Sequence, residues 1–395
     1  MKKNSHDPAP RTGIVTFSAG DGGNDKMLVH LARGLTEQGC KVDFVTRTRR
    51  APYLDMLPPS VNWILLEATS SKGRAAALAR YVAEAQPDVL LSGKRSDEET
   101  LSAVQRARTN TRVFFRVGTT LSVRNENRGI LKTWWRTRRM RHLFPKAHGV
   151  IAVSQGVARD VVRFLMVPAE KIHVVPNPVV TPEMQAQKPP VPSHPFYAIP
   201  RDIAVVVGMG GFRKQKDFPT LLRAFAMVVR RRPARLILLG QGHLEEKLKA
   251  LSRSLGIAGD VAFPGFVKDP YGYLAHADLF VLSSLWEGSP NVLTEALALG
   301  TPVVATDCPS GPKEILQDGR YGRLVPCSNP EAMAQAMEET LENPPPPDLL
   351  KQAVNRYTLA CSAREYLRAF GLCGNATSEE PSKKAGGNPN GESTR

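Results

Sequence analysis

Two series of short apolar runs alternate with segments of helical spacing, and a proline-rich stretch divides them. That alternation constrains the chain more than any other feature. A strand can return parallel to its predecessor only through a crossover, and a helix is the usual crossover. The first series opens with GIVTFSA (13–19), a glycine-bearing turn over Gly20–Gly23 and a helix over 25–38. That helix places Leu28, Leu31, Ala32 and Leu35 on one face, and Gly39 ends it before the strand KVDFVT (41–46). VLLS (89–92), a helix over 97–108, VFFRV (113–117), GVIAVS (149–154), a helix over 155–165 and HVVP (173–176) continue the pattern. Residues 181–200 contain six prolines and little periodicity, which predicts a linker. The second series has strands at 203–208, 235–240, 261–265, 279–284 and 302–306. Its helices are expected near 217–231, 243–254, 270–276, 290–299, 312–317 and 330–342.

The predicted fold class is therefore α/β, with two doubly wound, Rossmann-like domains over 1–180 and 201–350. A C-terminal helix within 351–373 and a disordered, polar tail over 374–395 complete the expectation. The length of 395 residues suits two domains, and 42% apolar residues suffice for two cores.

Lys and Arg number 53 against 37 Asp and Glu, a net charge of +16. Such a balance suits phosphorylated small molecules, anionic lipid or nucleic acid. Five cysteines without a C-x-x-C pair argue against a zinc site or disulfide framework and fit a reducing compartment. The first residues, MKKNSHDPAPRTG, lack the apolar stretch of a secretory signal, and no run reaches membrane-spanning length. These features predict a cytoplasmic protein, at most peripheral to a membrane.

Two stretches carry chemistry. In EGSPNVLTEALALG (287–300), Ser289 and Pro290 suit the start of a helix whose free amides attract phosphate. Glu287 lies on the loop before that end and Glu295 just over one turn inside it, and carboxylates accept hydrogen bonds from vicinal sugar hydroxyls. An incidental acid pair on a capped surface helix is the competing reading. In VVVGMGGFRKQKDFPTLLRAF (205–225), a strand runs into glycines and then Arg213, Lys214 and Lys216. Glycines allow close backbone approach to phosphate, and the cations suit a departing pyrophosphate. The spacing is not that of a P-loop, and a solvated basic loop is the alternative.

Together these stretches resemble the retaining glycosyltransferases of family 4, which have the GT-B fold. The matching elements are Lys216-Asp217-Phe218 after the glycine loop, the pair Glu287 and Glu295, and Gly300-Thr-Pro302-Val303-Val304-Ala305-Thr306. LLGQGHLEEKL (238–248), FPGFVKDPYGYLAHADLFVLSSLWEG (263–288) and VIAVSQGVARDVV…KIHVVPNPV (150–179) are also similar to the family. The resemblance covers residues 12–345 and is more specific in the second half. It implies two domains facing across a cleft and transfer of a sugar from a nucleotide diphosphate sugar to an acceptor hydroxyl with retention. The acceptor is expected to be a saccharide or lipid-linked saccharide of the cell envelope.

By the same resemblance, Lys216 holds the donor diphosphate, Glu295 the ribose and Glu287 the transferred sugar. Amides near Asn291, Val292 and Leu293 meet the phosphate, and backbone around Phe266 and Val267 meets the base. Gly22 and Gly23 form the first-domain glycine turn, and Gly210 and Gly211 the second. No metal or other cofactor is implied, because loop cations and helix amides take its place. The family usually has an Arg where this chain has Gly211, and Arg213 is the candidate substitute. No His or Asp falls at the usual first-domain position near the sugar; Thr119 and Thr120 occupy that region.

Residues 106–148 hold twelve Lys or Arg and one acid, Glu126. Within them, GILKTWWRTRRMRHLF (129–144) sets Ile130, Leu131, Trp134, Trp135 and Met140 beside cations, the pattern of a helix lying on an anionic membrane surface. A core helix with a basic exterior is the alternative. No helix-turn-helix, zinc or aromatic RNA motif accompanies the charge, so nucleic acid is not an expected partner. A nucleotide-sugar epimerase on this fold and an inactive nucleotide-sugar-binding protein are the rival functions.

Overall fold

The computed structural model describes residues 9–372 apart from 18, 19, 21, 49, 50, 69, 95, 127–129 and 199–202. The tail over 374–395 lies outside the described residues. The described residues form two sheets, of seven and six strands, all paired in parallel. The first comprises β1 (Arg11–Thr16), β2 (Lys41–Thr46), β3 (Asn62–Leu65), β4 (Val89–Lys94), β5 (Arg112–Val117), β6 (Gly149–Ala152) and β7 (Ile172–Val174). Its helices are α1 (Gly23–Glu37), α2 (Ser71–Ala85), α3 (Asp97–Ala107), α4 (Leu121–Glu126), α5 (Ile130–Leu143) and α6 (Gln155–Leu165), and the short α7 (Pro182–Ala186) follows. The second sheet comprises β8 (Ala204–Met209), β9 (Ala234–Leu239), β10 (Val261–Gly265), β11 (Leu279–Leu282), β12 (Val303–Thr306) and β13 (Arg323–Val325). With it run α8 (Phe218–Val229), α9 (Glu245–Ser254), α10 (Tyr271–Ala275), α11 (Asn291–Ala298), α12 (Pro312–Ile315) and α13 (Pro330–Glu342), and then α14 (Pro347–Gln352) and α15 (Leu359–Ala369).

Sheet order fixes where a ligand can sit. The first sheet runs β3-β2-β1-β4-β5-β6-β7 and the second β10-β9-β8-β11-β12-β13. Winding reverses between β1 and β4, and again between β8 and β11. At such a switch point the loops leave in opposite directions and open a crevice at the carboxyl ends of the strands. The glycine turn before α1 follows β1, the Gly210 loop follows β8 and the Glu287 loop follows β11, so the chemistry-bearing loops all leave strands that flank the two crevices.

Period-two burial makes each sheet two-faced. Ile14, Phe44, Leu91, Phe114 and Ile151 face one cluster, while Val15, Val45, Leu90, Phe115 and Val150 face the other. In the second sheet, Leu293, Ala296 and Leu297 clamp α11 onto Val205, Val207, Phe280 and Leu282. Burying each large side chain contributes roughly 1.5–3 kcal/mol, so α11 cannot easily rotate its first turn away from the crevice.

Six elements escaped the periodicity: β3, whose residues are half-exposed or exposed, α2, rich in alanine, the three-residue β13, and the short helices α4, α14 and α7, the last of which lies within the stretch expected to be a linker. The helix expected within 351–373 is α15, and it packs on the first domain. Ala363, Tyr366, Leu367 and Phe370 join the cluster of Leu28, Leu31 and Phe114. The chain thus crosses back after the second domain and ties the two together.

On α5, Met140 and Leu143 turn toward the first core, whereas Trp134 and Trp135 are 52% and 66% exposed. The side chains of Ile130 and Leu131 lie outside the description. The helix is not a core helix at its tryptophans, and the single apolar face expected there is split between core and solvent.

His30 sits on α1 beneath the Pro178 carbonyl, with its Nδ1 at 3.2 Å. Burial, and after it the Lys26 charge, holds its pKa at about 4 against an ordinary 6.5. The folded imidazole stays neutral while the unfolded one charges, so stability present above pH 6.5 is lost as the pH falls through about 4. The full effect is about 3 kcal/mol. His30→Gln should remove that part of the acid sensitivity. Thermal midpoints from pH 7 to 4 check this, and parallel curves for the two proteins would contradict it.

Candidate functional site

Gly210 follows β8 at φ +154°, and a Cβ there would lie 2.7 Å from Cε of Lys216. Bare backbone lets the lysine stem cross at that point, and its Nζ reaches Oε1 of Glu287 at 2.6 Å. Ser284 Oγ donates to the same oxygen at 2.7 Å. The two loops are stitched together: Leu285 N donates to the Gln215 carbonyl at 2.8 Å, Gln215 Nε2 to the Trp286 carbonyl at 2.8 Å and Ser283 Oγ to the Lys216 carbonyl at 2.7 Å. Glu287 and Lys216, 71 residues apart, are therefore placed by one braced unit at the second switch point.

Arg213 lies over Gly211. A Cβ at position 211 would meet its Nε at 2.9 Å and its Cζ at 3.3 Å. The guanidinium thus occupies the space into which a side chain at 211 would grow.

α11 starts one residue later than its capping signal suggested. Pro290, extended at φ −70° and ψ 104°, takes the capping position instead of Ser289, and no side chain caps the helix. The amides of Asn291 and Val292 lie in the open first turn. Leu293 differs from expectation, because its amide donates to the Pro290 carbonyl at 3.1 Å and so closes the turn.

Glu295 is met from the opposite domain. Nζ of Lys26, on α1, lies 3.3 Å from its Oε1, and each side chain is only 7% exposed. The same ammonium sits 4.1 Å from the ring centroid of Tyr271. Burial, and after it the Glu295 carboxylate, pushes the Tyr271 hydroxyl well above its ordinary range. Lys26 is the partner that a reading of the sequence missed; its position just after the glycine turn was the available signal.

A polar chain links the domains beside it. Asn291 Nδ2 donates to the Gly23 carbonyl at 2.9 Å, and Asn177 Nδ2 donates to Asn291 Oδ1 at 2.7 Å. A guanidinium nitrogen of Arg116 then donates to Asn177 Oδ1 at 2.7 Å, and Arg116 also bonds Asn24 and the Tyr366 hydroxyl. Arg116 was legible as a cation inside the apolar strand β5, and Asn177 as an amide between two prolines. Gly22 and Gly23 flank this chain at the start of α1.

Thr120 hydrogen-bonds the second domain, its N and its Oγ1 each donating to the Glu287 carbonyl at 3.0 Å, whereas Thr119 meets Gly288 through its Cα. Close approach here requires Gly288, since a Cβ on it would lie 2.4 Å from the Gly118 carbonyl oxygen. Phe266 and Val267 follow β10. The Phe266 ring meets Tyr53 of the first domain at 6.4 Å, and Val267 packs on the second core. Most of the candidate residues thus fall on loops or helix starts at the two facing switch points, while Thr120 follows β5 and Phe266 and Val267 follow the edge strand β10.

Comparison with known proteins fits this geometry. A model described as glycosyl transferases group 1 matches residues 203–343, and one described as glycosyltransferase family 4 matches residues 22–182. The chain belongs to glycosyltransferase family 4. A Campylobacter jejuni N-acetylgalactosamine-N,N'-diacetylbacillosaminyl-diphospho-undecaprenol 4-alpha-N-acetylgalactosaminyltransferase is 32% identical over 205 residues, 51% of this chain and 53% of that protein. A lipopolysaccharide core biosynthesis glycosyltransferase of Rhizobium meliloti is 40% identical over 140 residues, 35% of this chain and 40% of that protein. The matched stretches span about half or less of these relatives. Among solved structures, an Anabaena protein in complex with UDP and glucose superposes with a TM-score of 0.75 at 19% identity, covering 92% of this chain and all of its own. At that identity the likeness shows the fold, which is the two-domain arrangement that the family's members share.

The crowding of Arg213 against position 211 sets a test of whether the one replaces the other. Gly211→Arg alone should lower turnover by displacing Arg213, and Arg213→Ala alone should lower it by removing the charge. Combining them should recover most of the activity, measured as the turnover of glycosyl transfer. A double variant as impaired as the worse single variant would show that the two positions do not exchange roles.

Proposed function

We propose that this chain transfers a sugar from a nucleotide diphosphate sugar to an acceptor hydroxyl, with retention at the anomeric carbon. The acceptor is a saccharide or lipid-linked saccharide of the cell envelope. One observation carries the reading. Two carboxylates, Glu287 before α11 and Glu295 within it, flank the helix's uncapped start, each paired with a lysine, Lys216 and Lys26, where two switch-point crevices face each other.

Each part has a task. The donor's diphosphate lies between the Gly210–Lys216 loop and the amides of Asn291 and Val292, where cations and a helix start favour phosphate. Its ribose hydroxyls take the Glu295 carboxylate, so Lys26 gives up that oxygen when the nucleotide enters. Phe266 and Val267 border the base, and Glu287 contacts the sugar. As the bond from the anomeric carbon to the β-phosphate oxygen breaks, negative charge grows on the diphosphate. Lys216 and Arg213 stabilise that charge more than they stabilise the bound donor, which is what lowers a barrier. These cations and amides supply the neutralisation without a metal ion.

The relatives support the acceptor class, since their names place them on a diphospho-undecaprenol saccharide and in lipopolysaccharide core biosynthesis. The Anabaena neighbour's UDP and glucose make UDP-hexoses the first donors to try. Calorimetry with UDP, GDP and ADP should find a binder, and Glu295→Ala should weaken it by about 1.5–3 kcal/mol, the worth of hydrogen bonds to a charged group. Unchanged affinity removes Glu295 from the site. Donor incubated without acceptor should stay intact, whereas a freed isomer of its sugar would point to an epimerase.

Attachment to an anionic cytoplasmic membrane face through residues 129–144 belongs to the same reading. Among the described residues, no helix is long and apolar enough to cross a membrane. Trp134 and Trp135 stand exposed, and Arg138 lies over the Trp134 ring at 5.7 Å. Arg139 pairs with Glu98, and Arg141 Nε donates to the Phe164 carbonyl at 2.9 Å, so fewer than four arginines are free to face lipid. At about 1 kcal/mol per cation, attachment is weak, salt-sensitive and dependent on the indoles. Co-sedimentation should show binding to anionic vesicles that falls with salt and falls further in Trp134→Ser/Trp135→Ser. Equal binding to neutral vesicles, or none to either, contradicts it.

A further inference from the structure

A second cleft, of about 680 Å3, opens between α6 and residues 307–314, and none of Lys216, Glu287 and Glu295 lines it. Its walls come from both domains. Arg159 and Arg163 on α6 face it together with Arg141 at the end of α5, and Lys313 of α12 stands opposite. Arg159 and Arg163 are one helical turn apart and exposed, and among the described residues neither has a carboxylate partner. Like charges at that spacing repel and cost a helix stability.

The cleft's acids do not answer them. Asp160 Oδ2 accepts from the amides of Leu121 and Ser122 at 2.6 and 3.3 Å. Glu314 accepts from the amides of Gln155 and Gly156, each at 2.8 Å, so it occupies the positive end of α6 itself. Asp307 remains, exposed on the wall. Two carboxylates are thus spent on helix starts, and the arginine pair is left for a ligand.

The cleft also touches the reacting centre. Thr120 and Ser310 line it, and both donate to the Glu287 carbonyl, Thr120 at 3.0 Å and Ser310 N at 3.4 Å. A molecule held there lies against the far side of the loop that carries Glu287.

We propose that this cleft is the acceptor subsite and that Arg159 and Arg163 bind a phosphate or diphosphate group on the acceptor. The inference rests on the glycosyl-transfer reading above and names the acceptor's chemistry. Guanidinium groups recognise phosphate oxygens through paired donors. Side chains one turn apart stand about 5–6 Å apart at Cβ, which lets one diphosphate reach both. Two sources share that chemistry, a lipid-linked diphosphate and a soluble phosphorylated saccharide. The exposed tryptophans on α5, the helix that brings Arg141 to the rim, favour the lipid.

The test uses the full chain with its donor site saturated by whichever of UDP, GDP and ADP binds, and inorganic pyrophosphate as the probe in calorimetry. Wild type should bind pyrophosphate under these conditions. Arg159→Gln/Arg163→Gln should weaken that binding at least tenfold while leaving the nucleotide dissociation constant unchanged and the thermal midpoint no lower, since the substitution relieves the repulsion between the two arginines. Lys216→Ala should leave pyrophosphate binding intact. Equal affinity in the double arginine variant, or binding only when nucleotide is withheld, overturns the proposal. Should no nucleotide bind, the donor reading fails by itself, and the pyrophosphate titration of the arginine variant still reports on the cleft. Geranyl diphosphate then separates the sources. Tighter binding than pyrophosphate, lost in Trp134→Ser/Trp135→Ser, assigns the subsite to a lipid-linked acceptor, and equal binding assigns it to a phosphorylated saccharide.

Discussion

Charge cannot be buried alone, and the cleft between these two domains is arranged around that constraint. Lys26 with Glu295 and Lys216 with Glu287 are ion pairs withdrawn from water, and removing one partner from such a pair costs about 3–5 kcal/mol. The first pair spans the domains, so it acts on how they meet as well as on what they bind. Neither pair is a strong source of stability, because desolvation offsets most of the attraction. On the proposed reading their significance is chemical: each holds a carboxylate ready for sugar hydroxyls, Lys216 is a cation ready for phosphate, and a nucleotide sugar would exchange with both pairs.

The position of those charges follows from winding. Reversal between β1 and β4 and between β8 and β11 makes two crevices, and α15 returns to the first domain's core to keep them facing. The loops can then be irregular because the strands beneath them are not. Gly210 admits the lysine stem, Gly288 admits the Gly118 carbonyl, and Pro290 starts α11 without a capping side chain. At Gly210 and Gly288 the bare backbone sits where two elements come closer than a side chain allows.

Much of this was legible in the sequence, for identifiable reasons. A central strand buried on both faces reads as an unbroken apolar run, so β8 fell where expected to within a residue; β2, interrupted by Asp43, and the half-exposed edge strand β10 were marked by their flanking segments instead. β3 was missed, since an edge strand with Asn62 and Trp63 exposed lacks that run, and α2 shows its periodicity mainly in alanine. In the site, Glu287, Glu295 and Lys216 stood out because each belongs to a local pattern of loop, helix start and charge. Lys26, Asn177 and Arg116 acquire meaning only from partners in distant segments, and spacing along a chain carries no record of a contact between domains. Arg213 over Gly211 is intermediate: the displaced arginine was visible in sequence, but the shared space was not.

The central claim is that a nucleotide diphosphate sugar binds between the two switch points by exchanging with these ion pairs. A crystal structure with the bound nucleotide diphosphate tests it most directly. The account predicts ribose hydroxyls on the Glu295 carboxylate with Lys26 withdrawn from it, and the diphosphate between Lys216 and the amides of Asn291 and Val292. A nucleotide bound elsewhere, with the Lys26–Glu295 pair intact, would contradict it.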